Sequence, residues 1–575
     1  MIRLPYGISN FDTLISEGYH FVDKTIFMEQ LEQFFTPYVF FLRPRRFGKS
    51  LFLSILEYYY DIRHKDQFDR LFGKYYIGNH PTRLANQYLI LKFDFSQIDT
   101  SSLKSTQQGF LTNVKDGALH FLLAYPELFE TGDQAKIEQS STATEIIQFL
   151  IRAVKFYAKK QKIYLLIDEY DHFANEILSF RFEDFTGMVG NNGFVRKFYE
   201  AIKVGTQSGV IDRIFVTGVS PITLDSLTSG FNISTNISLY EEFSTMLGFK
   251  EEEVVQLLEG IEIQKEKLEE LLALMRSWYN GYSFAKDGAR KVYNSDMVLY
   301  FATEYARAQK IPEQLLDINI ATDYNKIRRI FNIKHQEKKH VEYLNELLET
   351  GELQAELVRL FEIEKQFDRE DFISLLYYMG IVTIADSNFT TLTFKMPNYV
   401  IKELYYQYFY QIVAEQSELH IRQIDLVEKV KALGLRNDIQ PLIAHTEFIL
   451  TELSNRDKRQ FDEKHLKIIF TSILFTVGIY NIHHEFEVKK SAHEKGYVDI
   501  LLTKRPPFKL DYQFVIEMKY LKKADAKQAQ RVKSAAKEQL NAYLSNDAYL
   551  SQLENLRAYV VLFVGNEGSF EELDI

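Results

Sequence analysis

The stretch YVFFLRPRRFGKSLFLSILEYYY, residues 38–60, decides the reading of the first half of the chain. Tyr38–Leu42 is a short apolar run of the kind a buried strand makes, and from Leu51 onward apolar residues recur at helical spacing. Between them lies Arg43-Pro44-Arg45-Arg46-Phe47-Gly48-Lys49-Ser50. A strand, a tight loop ending in Gly-Lys-Ser and a helix is the layout of a phosphate-binding loop. Gly48 would let the backbone approach a phosphate, Lys49 would reach the β- and γ-phosphates, and Ser50 would hold Mg²⁺. Arg43, Arg45 and Arg46 would add positive charge around the phosphates or toward the neighbouring domain, and the helix starting near Lys49 would point its positive dipole end at the anion. One departure is plain. The usual pattern has glycine where this chain has Arg43, and Gly-Lys-Ser alone is weak evidence for a nucleotide.

A second motif strengthens it. Ile163–Ile167 is an unbroken apolar run, as in a central parallel strand covered on both faces, and it ends in Asp168-Glu169. Asp168 is expected in the Mg²⁺ shell, and Glu169 is expected to polarise the attacking water. Strands also end in solvated acids for no catalytic reason; the order of the two motifs is what favours ATP. A further strand, Arg213–Val219, would bring Thr217 or Ser220 to the γ-phosphate as a polar sensor, although Thr-Gly is equally an ordinary strand-to-turn junction. With another strand at Leu89–Phe95 and helices over 101–161, the alternation predicts a doubly wound α/β domain with its ligand at the carboxyl ends of the strands.

Composition sets the outer bounds. A chain of 575 residues should hold several domains. It has no cysteine, which excludes disulfides and thiolate metal sites and suits a cytoplasmic location. The N-terminus reaches Arg3 and Pro5 without an apolar signal core, and the longest nearly apolar stretch, Ile468–Tyr480, is too short to cross a bilayer as a helix. No membrane association is expected. The formal net charge of −11 means that contact with nucleic acid would need a local basic surface.

The segments YGISNFDTLISEGYHFVDKT, RPRRFGKSLFLSIL, LLIDEYD, IFVTGVSPIT, GFNISTNISL, GFKEEEV, WYNGYSF and VYNSDMV together resemble the bacterial AAA-ATPase-like family over about residues 1–310. That resemblance makes Arg43 a family variant of the loop. It implies an AAA-like P-loop core over 1–247 and a helical lid over 248–310. The position after Thr-Gly-Val-Ser is often basic in the family and is Pro221 here, so an arginine finger stays unassigned, with Arg196 and Arg213 as candidates. A second copy could supply one, so a homo-oligomer is among the expected partners. Residues 311–454 read as a charged helical connector. Within it, about 366–410, helix, hairpin and helix suggest a winged-helix-like unit that serves packing more than DNA contact.

A second chemical centre is expected over 455–575. Strands read at 483–488, 496–502 and 513–521, with a turn around Arg505-Pro506-Pro507. Residues two apart on a strand share a face, so Glu517 and Lys519 project together, toward an Asp499 brought alongside by hairpin pairing. Both charges sit in a run that is otherwise apolar, where a charge needs a partner or a metal. Two carboxylates can hold Mg²⁺, or Mn²⁺, through oxygen ligands. Lys519 would orient or deprotonate a water. With Gly496-Tyr497-Val498-Asp499, the pattern resembles the PD-(D/E)XK nuclease superfamily. The resemblance implies that Gln539 and Tyr543 in EQLNAY match a supporting glutamine–tyrosine element; Glu485 would support a second metal or order Lys519. Between Lys519 and Lys537 seven Lys or Arg stand against Asp525, which suits a phosphate backbone or simply a solvated helix face.

The expected function is ATP-controlled cleavage of phosphodiesters, with DNA the expected substrate and defence against foreign DNA the expected role. The alternative is a nucleotide-switched interaction protein whose C-terminal domain binds without cutting.

Overall fold

The computed structural model describes residues 2–130, 132–158, 160–173, 188, 193–222, 231–317, 320, 337–361, 367–416, 423–452, 461–491 and 494–574. The chain forms two compact units, one of Met1–Arg307 with Leu316–Tyr399, the other of Ala308–Leu315 with Val400–Ile575.

The first unit is built on strands β1 (Tyr38–Leu42), β2 (Tyr88–Asp94), β3 (Lys162–Asp168), β4 (Ile211–Gly218) and the short β5 (Thr235–Asn236). They form one sheet in the order β2-β3-β4-β1-β5, and every neighbouring pair is parallel. β1, β3 and β4 are buried along nearly their whole length. That is why they read as continuous apolar runs and not as alternating ones. Helices Lys49–Tyr60, Leu103–Ala124, Ala143–Tyr157 and Phe194–Gln207 complete the α/β layers. The carboxyl ends of β1 and β3, which flank β4, deliver the Arg43–Gly48 loop and Asp168-Glu169 to the same end of the sheet.

Beyond the core come helices Glu251–Gly260, Lys265–Tyr279 and Ser295–Ala308 with a small hairpin, β6 (Tyr282–Ser283) and β7 (Lys291–Val292). Trp278 is buried and stacks at a tilt on Tyr399, with ring centroids 4.5 Å apart, so it serves packing. Asn294 accepts the Asp296 and Met297 N–H groups and caps the Ser295–Ala308 helix.

The helical connector expected after residue 311 is corrected in part. Helix Glu337–Thr350 is followed by a strand, β8 (Glu352–Glu356), which joins β9 (Thr383–Asn388) and β10 (Thr391–Lys395) in an antiparallel sheet ordered β8-β10-β9. Helix Arg369–Tyr378 packs with it. β8 reads Glu-Leu-Gln-Ala-Glu, and only Leu353 and Ala355 turn inward, so its apolar signal is two residues long. The connector positions 321–336 and 362–366 lie outside the described residues.

The second unit carries β11 (Tyr480–Lys489), β12 (Lys495–Lys504), β13 (Gln513–Leu521), β14 (Leu556–Val564) and β15 (Glu567–Leu573), which lie in sequence order across one sheet. β13 and β14 are parallel, bridged by helix Ala529–Asn546, and the other pairs are antiparallel. Val498, Val515, Val560, Leu540 and Tyr543 share one core cluster that clamps this helix to the sheet. Helices Tyr399–Gln416, Gln423–Arg436, Gln440–Glu452 and Glu463–Val477 precede the sheet, and positions 453–460 of the expected helical stretch lie outside the described residues.

One group there sets a pH dependence. Glu403 is buried, and its Oε2 has no hydrogen-bond partner among the described residues. Burial pushes its carboxyl up to about 7, against a smaller opposing pull from Arg505. An acid whose folded pKa is raised binds its proton more tightly in the folded state. Its favourable contribution is full below the unfolded value and is lost as pH rises through about 7. Glu403→Gln is therefore expected to leave the thermal midpoint near wild type at pH 5 and to raise it at pH 8, where the charged carboxylate costs roughly 3 kcal/mol. Unfolding curves at the two pH values check this; a midpoint lowered equally at both would contradict it.

Candidate active sites

The first centre lies on the loop between β1 and helix Lys49–Tyr60. Gly48 is the helix N-cap with φ 92°, a left-handed conformation that suits glycine. The first amides of a helix have no partner within it. Here Gly48, Lys49, Ser50 and Leu51 all line one cavity of about 530 Å³. Lys49 is buried; its ammonium donates to the Arg43 and Pro44 carbonyls at 3.2 Å each and lies 3.6 Å from Glu169 Oε1. Asp168 accepts from Ser50, and burial with the neighbouring Glu169 charge pushes its carboxyl up to about 6 despite that bond. Burial also works against ionised Glu169, but Lys49 and Arg45 outweigh it and hold its pKa below the usual value. Glu169 has φ 49°, an uncommon backbone for a residue with a side chain, of the kind found at functional sites. Thus Lys49, Ser50, Asp168 and Glu169 come together as expected. A buried carboxyl raised toward neutrality beside a hydroxyl fits a divalent cation, and unpartnered helix amides fit phosphate oxygens.

Arg43 does not do what its charge suggested. Its side chain is 1 % exposed. Nη1 donates to the Leu42 and Ser238 carbonyls at 2.8 Å, Nη2 donates to Phe243 at 2.9 Å, and the guanidinium lies between the rings of Phe41 and Phe284, 4.2 and 4.1 Å from their centroids. It faces away from the phosphates and bridges the loop to residues 238–243. Restoring the usual glycine would therefore be harmful. Arg43→Gly removes three hydrogen bonds and leaves buried carbonyls unsatisfied, and it is expected to cost at least about 3 kcal/mol. Denaturant unfolding measures this, and Arg43→Lys is expected to recover little because one ammonium cannot span the same carbonyls.

Arg46 is exposed, with φ 68°, and lies 3.5 Å from Asp296, whose helix N-terminus reaches the loop: the Asp296 N–H and the Ser295 hydroxyl both donate to the Arg46 carbonyl at 3.3 Å. Arg46 and Ser295 also line the cavity. The apolar part of the cavity wall was not found from the sequence. It comprises Ile8, Phe21, Val22, Met246, Phe249 and Leu257, a surface suited to a base. Lys24, buried at this wall, pairs with Glu253 at 2.7 Å and ties the N-terminal segment to helix Glu251–Gly260.

Four residues named from the sequence stand elsewhere. Thr217 is not on the cavity wall; its hydroxyl donates to the Phe41 carbonyl at 2.8 Å, across the β1–β4 register. Ser220 is held by buried Asp171, which accepts the Val219 and Ser220 amides and the Ser220 hydroxyl. Arg213 is the third residue of β4 and donates to the Leu31 carbonyl, so it stands toward the end of the strand away from the loop. Arg196 pairs with Glu200 on its own helix and does not line the cavity.

The second centre forms where β12 and β13 meet. Asp499 and Glu517 are 7 % and 1 % exposed. Lys519 lies 2.8 Å from Glu517 and 3.7 Å from Asp499, and Asp499 Oδ2 accepts the Met518 amide at 2.6 Å. The three expected residues therefore converge. Two more join them from helix Glu463–Val477: Lys467 pairs with Asp499 at 2.6 Å and with Glu463 at 2.9 Å, and Glu463 pairs with Lys519 at 3.3 Å. Burial, then the Asp499 charge, pushes the Glu517 carboxyl up to about 7. Burial opposes the Lys519 ammonium, but Asp499 and Glu517 outweigh it and hold its pKa above normal. Lys519 is thus a fixed cation. Glu517 Oε2 is buried without a hydrogen-bond partner among the described residues. A repelling carboxylate pair with one orphaned oxygen fits a divalent cation, although no group of three or more acidic, histidine or cysteine side chains forms a ready cage among the described residues.

The supporting residues are placed less directly. Gln539 donates to the Tyr543 hydroxyl at 2.8 Å, and Tyr543 packs where a side chain at Gly496 would stand, so both act through β12. Glu485 falls between the paired residues His484 and Phe486 of β11 with φ 48° and is exposed, and Glu463 occupies the place foreseen for it beside Lys519. Lys533 and Lys537 are paired with Glu571, which removes two of the seven cations from the expected basic face.

Two family models match parts of the chain. Residues 5–228 match the family described as predicted AAA-ATPase, and residues 461–573 match the PD-(D/E)XK nuclease superfamily. The chain is 30% identical over 308 residues to an uncharacterized protein in the vnfD 5′ region of Azotobacter chroococcum mcd 1, covering 52% of each, so it spans about half the length of that relative. A Walker-type ATPase of Pyrococcus abyssi aligns over 66% of this chain and 94% of its own at 12% identity and a TM-score of 0.38, too low to carry an argument. No helix among the described residues is long and apolar enough to cross a membrane. In chain order, the protein carries a region that matches the predicted AAA-ATPase family, residues 5–228, and a region that matches the PD-(D/E)XK nuclease superfamily, residues 461–573.

Proposed function

We propose that this protein binds and hydrolyses ATP at the first centre and that nucleotide state controls phosphodiester cleavage at the second, with DNA as substrate and defence against foreign DNA as its role. The observation that carries the cleavage reading is Glu517, a fully buried carboxylate with an orphaned oxygen, held beside Asp499 and a permanently charged Lys519.

At the first centre Lys49 and the helix amides would bind phosphate oxygens, Ser50 and Asp168 would hold Mg²⁺, and Glu169 would orient the attacking water. At the second, Asp499 and Glu517 would hold Mg²⁺ or Mn²⁺. A metal there lowers the pKa of a bound water and offsets charge on the reacting phosphate. Lys519, fixed as a cation, would stabilise developing negative charge and direct the water by hydrogen bonding, and it is a poor general base. Glu463 would hold Lys519 in place.

The test is labelled DNA and RNA incubated with Mg²⁺ or Mn²⁺, with and without ATP, comparing wild type with Asp499→Ala. ATP-dependent cutting by wild type alone supports the proposal; identical, intact substrates with both proteins reject cleavage. One observation favours a second reading, a nucleotide-switched interaction protein: the net charge is −11 and Glu571 neutralises part of the basic helix. ATP turnover with every substrate left intact would select it.

A further inference from the structure

Neither Arg196 nor Arg213 lines the nucleotide cavity, and Arg43 is turned into the brace. Among the described residues, two arginines do line it, Arg45 and Arg46. Arg46 lies 3.5 Å from Asp296, at the start of helix Ser295–Ala308. Arg45, half-buried, goes instead to the end of β3, where its Nη2 stands 3.4 Å from His172 Nδ1. A guanidinium has only donors, so this ring nitrogen accepts. The ring then keeps its proton on Nε2, and His172 is uncharged while the bond lasts.

His172 is itself firmly placed. Its amide donates to the Glu169 carbonyl at 3.1 Å, which closes the turn after β3. The preceding residue, Asp171, is buried and accepts the Val219 and Ser220 amides at the end of β4. His172 Nδ1 lies 4.0 Å from Glu169 Oε2, while the Lys49 ammonium lies 3.6 Å from Oε1. One oxygen of Glu169 thus faces Lys49, and the other faces the ring that holds Arg45. Burial works against a charged Glu169, and Lys49, then Arg45, overcome it. Two cations of one loop are gathered on the carboxylate that would orient the attacking water, and His172 lines the same cavity.

We propose that Arg45 is the catalytic arginine of ATP hydrolysis, supplied in cis by the phosphate loop, with His172 as its positioning residue. Each chain is then complete without an arginine from a second copy. The inference rests on the ATP reading of the first centre. In the step, the water oxygen bonds to the γ-phosphorus as the bond to the β–γ bridging oxygen breaks, and that electron pair leaves on ADP. One water proton stays on the attacking oxygen and the other passes to a phosphoryl oxygen. Negative charge spreads over the γ-oxygens and the bridging oxygen on the way. A planar guanidinium can meet two of those oxygens at once, which the Lys49 ammonium does not. In moving from His172 to the phosphate, Arg45 gives up a long bond to a neutral acceptor and gains bonds to charged ones.

The full chain serves for the test, as wild type, Arg45→Ala, Arg45→Lys, His172→Ala, His172→Asn and Glu169→Gln. Calorimetric ATP titration gives affinity, and phosphate release at saturating ATP gives turnover. Arg45→Ala is expected to keep ATP affinity within about threefold and to lose turnover about a thousandfold, with Arg45→Lys recovering little. Free guanidinium ion at low concentration should restore part of the turnover of Arg45→Ala, a rescue that a merely structural arginine would not show. ADP with aluminium fluoride, a mimic of the phosphoryl group in flight, should bind wild type more tightly than ADP alone and lose that advantage in Arg45→Ala. His172→Ala should lower turnover about tenfold at unchanged affinity. His172→Asn, whose amide oxygen can accept the same bond, should recover most of it. Equal mixtures of Arg45→Ala and Glu169→Gln are expected to stay inactive. Turnover regained on mixing would mean that the arginine reaches across from a second copy, and it overturns the cis assignment. Arg45→Ala that turns over ATP at the wild-type rate, or that loses affinity in place of turnover, overturns the catalytic role and leaves the ATP reading standing. Wild type that neither binds nor hydrolyses ATP overturns the ATP reading and the inference with it.

Discussion

Lys49→Ala is expected to abolish detectable ATP binding and to reduce hydrolysis at least about 100-fold. The reasons go beyond the loss of one phosphate contact. Without nucleotide, the Lys49 ammonium joins the Arg43 and Pro44 carbonyls at one end of the loop to Glu169 at the end of β3. Removing it leaves two carbonyls unsatisfied and withdraws the charge that keeps Glu169 ionised in its buried position. Lys49→Arg should rescue poorly, since the planar guanidinium does not fit the point between two carbonyls that an ammonium occupies. Calorimetric ATP titration and phosphate release measure the two effects. Retained ATP affinity in Lys49→Ala would remove the first centre as a nucleotide site.

The second large effect is expected at Glu517. Glu517→Gln keeps the shape of the side chain and can still accept from Lys519, but it removes one of the two charges needed to hold a divalent cation. Cleavage is expected to fall by about a thousandfold or more. Stability should move the other way. In the metal-free protein Glu517 is buried against Asp499, and both burial and repulsion penalise its charge. The amide is free of that penalty, so the thermal midpoint at pH 8 should rise above wild type. Loss of activity with a gain in stability marks a residue kept for chemistry at a cost to the fold. A variant that loses both together would identify Glu517 as a structural residue. Asp499→Asn is a weaker discriminator, because Asp499 also accepts the Met518 amide and pairs with Lys467.

What was legible in the sequence follows from how local each signal is. β1 and β13 stand where the apolar runs place them, because buried strands expose little polarity to confuse the pattern. Glu517, Lys519 and Asp499 were legible because a two-residue period and one hairpin suffice to bring them together. Glu463 and Lys467 were not, since they come from a helix separated from β12 by a whole strand, and a glutamate and a lysine four apart are common on any helix. β8 was hidden by its three polar residues out of five. Thr217 misled because a hydroxyl at a strand end can satisfy a neighbouring strand's carbonyl as readily as a ligand. Arg43 looked like phosphate charge because its partners, Ser238 and Phe243, lie about two hundred residues away in the chain.

That last contact bears on where the protein can be cut. The AAA-ATPase match ends at residue 228, after every recognisable nucleotide motif. Two of the three carbonyls that receive Arg43, those of Ser238 and Phe243, lie beyond it, as do Phe284 on one face of the guanidinium and the cavity-lining Met246, Phe249 and Leu257. A fragment ending at the match boundary would carry the whole signature and only the local part of the brace. Its arginine would keep the Leu42 carbonyl and the Phe41 ring and lose the rest. The smallest piece able to keep its phosphate loop in shape therefore extends at least through the Ser295–Ala308 helix, whose first turn grips the Arg46 carbonyl.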